Sequence, residues 1–260
     1  HILHRGNSAT PGDEVEAGFP EVFSQVHPAA SDAAPSGRLA LADWIASPSH
    51  PLTARVIVNR VWRQHFGRGL VATPNDFGKA GPPPTHPELL DWLAADFVTH
   101  GWRIKALHKR VLMSNAWRMS TAADRPEAIA VDEGNQWYWR QNLRRLEAEA
   151  IRDAMLVVSG QLNPARGGRG FFPRLSREVV AGQSRPGLGW ELSAPEETRR
   201  RSIYAFIKRT MLAPEFESFD YTNTAISMGE RPVTTVAPQA LLMLNSDFVL
   251  EQARALADRL

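Results

Sequence analysis

A mainly α fold with a minor β component (α+β), a compact helical core carrying long Gly/Pro/aromatic loops, is what this sequence predicts. Three observations predict it. Apolar residues recur at helical spacing in several blocks between residues 37 and 160. Prolines and glycines stand where those blocks begin and end. The stretch 163–193 instead concentrates glycine, arginine, proline and aromatic residues, as a long ordered loop with short strands would. With 260 residues, 43% of them hydrophobic, the chain is long enough to bury a sizeable core.

The elements follow in order. Residues 1–26 carry turn residues, Gly6-Asn7 and Pro11-Gly12-Asp13, around short apolar pairs, and read as an extended lead-in with one strand. Residues 29–36 read as a linker, so 1–36 form a lead-in and linker and 37–260 a single mainly helical domain. Leu39, Leu41, Ala42, Trp44 and Ile45 suit a short helix ended by Ser47-Pro48. Pro51 fits the first position of a longer helix running to Phe66, stopped by Gly67 and Gly69. After a Gly/Pro-rich loop over 67–84, Thr85 and Glu88 have the spacing of a capping box for a helix reaching His100, with Gly101 closing it. Helices over 104–114 and 146–160 come next. Residues 202–211 alternate as a strand does, and the chain returns to helix after Pro238.

Composition excludes several functions. Thirty basic against 28 acidic side chains leave a charge of only +2, so no global field draws nucleic acid. The absence of cysteine excludes disulfides, thiolate metal sites, a cysteine nucleophile and covalent haem attachment within this sequence. The eight histidines form no His-Glu-x-x-His or His-x-His spacing, so no metal site is predicted. No serine sits in a Gly-x-Ser-x-Gly elbow. No apolar run reaches the roughly 20 residues of a membrane span. The polar start at 1–7 has no signal-peptide core, and the amphipathic run 237–260 stops without a C-cap signal. The sequence is therefore expected to be a piece, truncated at its C-terminus, of something longer.

Two helical faces carry polar residues where apolar ones belong. Leu52, Arg55, Asn59, Trp62 and Phe66 share one stripe, placing Arg55 and Asn59 among apolar neighbours. Buried, they need partners. Glu149 and Asp153, four residues apart on the 146–160 helix, share a face with Leu146, Ala150, Leu156 and Val157. One reading is an ion-pair network in which Arg55, or Arg144 and Arg145, neutralises the two carboxylates. The other sets Glu149 and Asp153 at a cleft as an acid and base pair, with Asp76 as a further carboxylate and Arg55 positioning an anionic group. Trp190, flanked by glycines, is a candidate exposed stacking face for a ligand, whereas Trp137 and Trp139 read as packing anchors. The run Arg199-Arg200-Arg201 reads as a solvated or ion-paired edge.

Several blocks, in order along nearly the whole chain, carry a resemblance. They include Pro51-Leu52-Thr53-Ala54-Arg55, Val58-Asn59-Arg60-Val61-Trp62, Thr73-Pro74-Asn75-Asp76-Phe77-Gly78 and His86-Pro87-Glu88-Leu89-Leu90-Asp91-Trp92-Leu93. Arg200-Arg201-Ser202-Ile203-Tyr204 and Asn245-Ser246-Asp247-Phe248 continue the series. Together they resemble the planctomycete-specific C-terminal domain of unknown function found in planctomycete cytochrome-c-domain proteins. The resemblance implies an exported protein of the periplasm or cell envelope. It also implies, upstream in the same chain, a cytochrome c domain holding haem c and a second planctomycete-specific domain, with no cofactor in the present sequence. It brings no catalytic residue. Three functions follow as expectations: a binding or scaffold module for polysaccharide or partner domains, a carbohydrate-active enzyme using the Glu/Asp pair, and a docking module for the cytochrome c domain.

Overall fold

The computed structural model describes residues 1–15, 18–26, 37–175, 177–209 and 211–260. The linker expected over 29–36 lies outside the described residues. The chain is mostly helical and groups into two compact units, His1–Asn142 and Leu143–Leu260. Among its described residues the lead-in forms 3-10 turns at His4–Gly6 and Glu21–Val26 and a bridge from Leu3 to Pro11.

In the N-terminal unit, α1 (Gly37–Ala46) is followed by α2 (Thr53–Phe66), α3 (Pro87–Thr99), α4 (Ile104–Leu112) and α5 (Pro126–Val131). Helix α2 packs on α3 and α4. Its buried positions Ala54, Val58, Trp62 and Phe66 meet Leu90, Leu93 and Phe97 of α3 and Leu107 and Val111 of α4 in one core. Trp62 and Phe66 stack at 4.2 Å, and Tyr138 closes on both rings edge-on. Gly67 ends α2 in the left-handed conformation (φ 78°), as expected of a glycine at that place.

Both helix starts differ from the sequence expectation. Helix α2 begins at Thr53 rather than Pro51, with Leu52 at its N-cap position and the buried His50 capping the first N–H groups from upstream. His50 Nδ1 accepts from the N–H groups of Leu52 and Thr53, both at 3.2 Å, and lies 3.0 Å from Thr53 Oγ1. Helix α3 starts at Pro87, but the capping box is not made. Thr85 instead turns to the core loop, where its N–H and Oγ1 both reach the carbonyl of Leu70.

The cap makes stability depend on pH. Burial pushes the His50 imidazole below its ordinary value. The folded state therefore favours neutral His50, whose contribution is complete above the unfolded value of about 6.5 and is lost as pH falls through the lowered folded value. The melting temperature should fall between about pH 7.5 and pH 5.5. His50→Asn keeps an acceptor without a titrating ring and should flatten that slope. An unchanged slope in the variant would remove His50 as its source.

In the C-terminal unit, α6 (Ala148–Val158) is followed by the short helices α7 (Arg177–Ala181), α8 (Pro195–Thr198) and α9 (Pro214–Ser218). Then come α10 (Ala237–Asn245) and α11 (Asp247–Arg259). Helix α6 packs on α9, on α11 and on a 3-10 turn at Ser202–Tyr204. Ala148, Ala213, Phe216 and Phe219 form the core, with Ile151 and Leu242 against it. Among the described residues of 202–211 the expected strand does not form. Among the described residues β structure is confined to isolated bridges, such as Phe171 with Ala205, because this segment bends into the turn that receives α6. The amphipathic run at the C-terminus is two helices: Ser246, in extended backbone (φ −71°, ψ 126°), breaks it.

Candidate functional site

The face of α6 that enters the core is Ala148, Arg152 and Leu156, with Ile151 and Met155 beside it. This corrects the arc drawn from sequence, since Leu146 and Val157 are about half exposed. Glu149 and Asp153 therefore lie on the shoulder of the helix, and each is taken by its own partners. Glu149 is gripped by the fork of Arg231, with Nη1 at 2.7 Å from Oε2 and Nη2 at 2.9 Å from Oε1. Donating to the Glu149 carboxylate raises the pKa of Arg231. The Arg231 guanidinium also lies over the Tyr221 ring at 4.9 Å, and burial first, then the Glu149 charge, raises the Tyr221 hydroxyl. Asp153 Oδ1 accepts from both the N–H and the Oγ of Ser202, each at 2.7 Å, while Arg201 Nε approaches Oδ2 at 3.4 Å.

The ion pairing envisaged for the two carboxylates is thus present with different arginines. Arg55 donates from Nη1 to the Pro51 carbonyl and from Nε to Asp91 at 2.6 Å, and the bond to Asp91 lowers that carboxyl below its ordinary range. Arg145 pairs with Asp220 at 2.5 Å. Asp76 lies in the N-terminal unit and closes a turn by accepting the Gly78 N–H at 2.9 Å.

Asn59 is fully buried. Its Nδ2 donates to the Val71 carbonyl at 3.0 Å and its Oδ1 accepts the Val71 N–H at 2.9 Å, which ties the 67–84 loop to α2. Gly69 passes so close that a Cβ there would stand 2.5 Å from the Val71 carbonyl oxygen and 2.7 Å from Asn59 Oδ1. Trp190 is half-buried rather than a free platform. Its indole N–H donates to the Pro173 carbonyl at 3.2 Å, and its ring sits against Phe172 and Phe206. Trp137, expected as an anchor, is 63% exposed, and Trp92 on α3 is exposed as well.

Sequence reasoning missed two buried arginines. Arg152 was legible, four residues from both Ala148 and Leu156 on the apolar stripe. Arg200, the middle of the arginine run, was not. It donates to the carbonyls of Arg169, at 2.8 Å, and Gly167, pairs with Glu197 at 3.1 Å, and stacks 4.0 Å over Tyr204. It forms part of the wall of a cleft of about 460 Å³ beneath the loop residues 165–170 and 191–194. Neither Glu149 nor Asp153 lines this cleft.

Among the described residues no group of three or more His, Asp or Glu side chains comes together to hold a metal ion, and no helix is long and apolar enough to cross a membrane. A family model described as "PSD1: Protein of unknown function (DUF1553)" matches residues 37–260. No curated protein and no solved structure matches.

Proposed function

Since the chain belongs to this DUF1553 family of unknown function, we propose that it is a non-catalytic binding or scaffold module for polysaccharide or partner domains. In this reading the protein is exported to the periplasm or cell envelope. The module carries no cofactor of its own and works beside a haem-bearing cytochrome c domain and a second planctomycete-specific domain of the same chain.

The observation that supports the reading is the occupancy of the two candidate carboxylates. A general acid needs a proton held near neutral pH, and a general base needs lone pairs aimed at substrate. Glu149 spends both oxygens on the Arg231 fork, and Asp153 holds the N–H and hydroxyl of Ser202. Each is what an ion-paired clamp between α6 and a distant segment requires.

The test compares stability with turnover. Glu149→Gln should cost about 1 kcal/mol, because the pair is partly solvated and screened. Asp153→Ala should cost about 2 kcal/mol by stranding two donors of Ser202. Both variants should melt several degrees lower, by about 2–4 °C per kcal/mol, while retaining any polysaccharide the unaltered chain retains. A polysaccharide hydrolysed by the unaltered chain and left intact by a stably folded Glu149→Gln variant would overturn the reading in favour of a carbohydrate-active enzyme.

A further inference from the structure

Resting on the binding-module reading, we infer that the cleft between residues 165–170 and 191–194 is a binding site for an uncharged, polyhydroxylated chain, a neutral polysaccharide.

The cleft is built before any ligand arrives. Its volume of about 460 Å³ falls in the range of about 300–1,000 Å³ usual for ligand sites. Arg200, 3% exposed, fastens the carbonyls of Gly167 and Arg169 from below, and the hydroxyl of Tyr204, over whose ring it stacks, accepts the Gly167 N–H at 2.9 Å. Gly167 and Gly168 adopt φ of 75° and 76°, and a Cβ on either would meet nothing within 4 Å. The backbone there is bare, and a ligand can approach it closely.

Charge selects the ligand class. The lining holds two arginines and two glutamates, paired as Arg200 with Glu197 and Arg169 with Glu191. Their sum is zero, so neither a polyanion nor a polycation finds a complementary field. A charged ligand would meet a like charge beside each group it could pair with. A hydroxyl has no such conflict, since it donates and accepts at once. Arg169 engages Glu191 through Nη2 alone, at 3.0 and 3.1 Å, so among the described residues its other two nitrogens stand open to acceptors. The Glu191 oxygens keep further lone pairs. Adjacent hydroxyls of a sugar ring can therefore bridge guanidinium and carboxylate without parting them. Leu192, 95% exposed on the rim, and Phe172 in the wall offer apolar surface for the C–H face of the ring.

Arg169, Glu191 and Leu192 are exposed, and their replacement leaves the core untouched. The experiment measures retention of the whole chain on insoluble cellulose, xylan and mannan, and calorimetric binding of the matching hexasaccharides. Arg169→Ala, Glu191→Ala and Leu192→Ser are compared with the unaltered protein. At least one neutral glycan should bind, each substitution should weaken it by about tenfold or more, and melting temperatures should be unchanged. Undiminished binding by the triple variant would place the glycan elsewhere and overturn the cleft while leaving the module reading intact. Cleft-dependent retention of polygalacturonate but of no neutral glycan would overturn the ligand class. Absence of all glycan binding would overturn the site's assignment, whereas the module reading stands or falls separately on the Glu149 and Asp153 variants.

Discussion

Replacing Asn59 by alanine is expected to destabilise the N-terminal unit by about 2–6 kcal/mol, since it strands two buried backbone groups at about 1–3 kcal/mol each. The side chain is 0% exposed and serves Val71 at both its N–H and its carbonyl, so no water replaces it there. The space is also closed to repair, because Gly69 runs against the same amide and carbonyl. The chain should unfold at a lower denaturant concentration, with a melting temperature lower by about 2–4 °C per kcal/mol. Asn59→Asp separates polarity from packing. It keeps an acceptor for the Val71 N–H but turns a second oxygen toward the Val71 carbonyl, and should be as destabilising at neutral pH as alanine or more so. A loss below about 0.5 kcal/mol for alanine would mean that the 67–84 loop is held by other contacts.

The second large effect is expected at Arg152. Its Nη1 donates to the Arg200 carbonyl at 3.0 Å and to Ser202 Oγ at 3.2 Å, its Nη2 reaches the Thr198 carbonyl, and its guanidinium lies 5.2 Å from the rings of both Phe171 and Phe248. Burial pushes its pKa down, against the opposing charges of Asp153 and Glu215. Arg152→Met preserves length and apolar contact but leaves three acceptors without a donor and the Asp153 charge less compensated, which should cost about 3–5 kcal/mol. Arg152→Lys should recover part of this, because one ammonium cannot span the same three acceptors. Chemical denaturation measures both. The Met variant should also become sensitive to protease around residues 198–202, since that turn is held to α6 through this side chain. A Met variant as stable as the Lys variant would show that ring contacts, not donors, hold the turn.

The arginines mark how far reading the residues in order can go. The stripe on α2 placed Asn59 inside correctly, yet it grouped Arg55 with it. Arg55 lies within the first turn of the helix and escapes to solvent-facing Asp91, its side chain 34% exposed. On α6 the same spacing argument chose Glu149 and Asp153 and passed over Arg152, although Arg152 alone has the buried phase of Ala148 and Leu156. The capping-box spacing at Thr85 and Glu88 was present in the sequence but unused: the N-cap position falls on His86, and Thr85 is held upstream by donating to the Leu70 carbonyl. His50 as a cap had no signal, since imidazole is not among the usual cap side chains.

Helix positions are therefore available from the order of residues, because spacing of apolar side chains and the backbone limits of proline and glycine act within one or two turns. A mostly helical domain, the ends of α2 and α3, and membership of a family all follow from such local and ordered patterns. The partners of each charge do not. Glu149 meets Arg231 across 82 positions, Asp153 meets Ser202 across 49, and Arg152 meets Arg200 across 48. Contacts over such separations exist only once the helices have packed, and among thirty basic side chains no rule of spacing chooses between them. Packing also set a 3-10 turn at Ser202–Tyr204 where a strand was expected, and left the cleft beside Arg200 open with its charges balanced, since both depend on what the folded chain brings alongside.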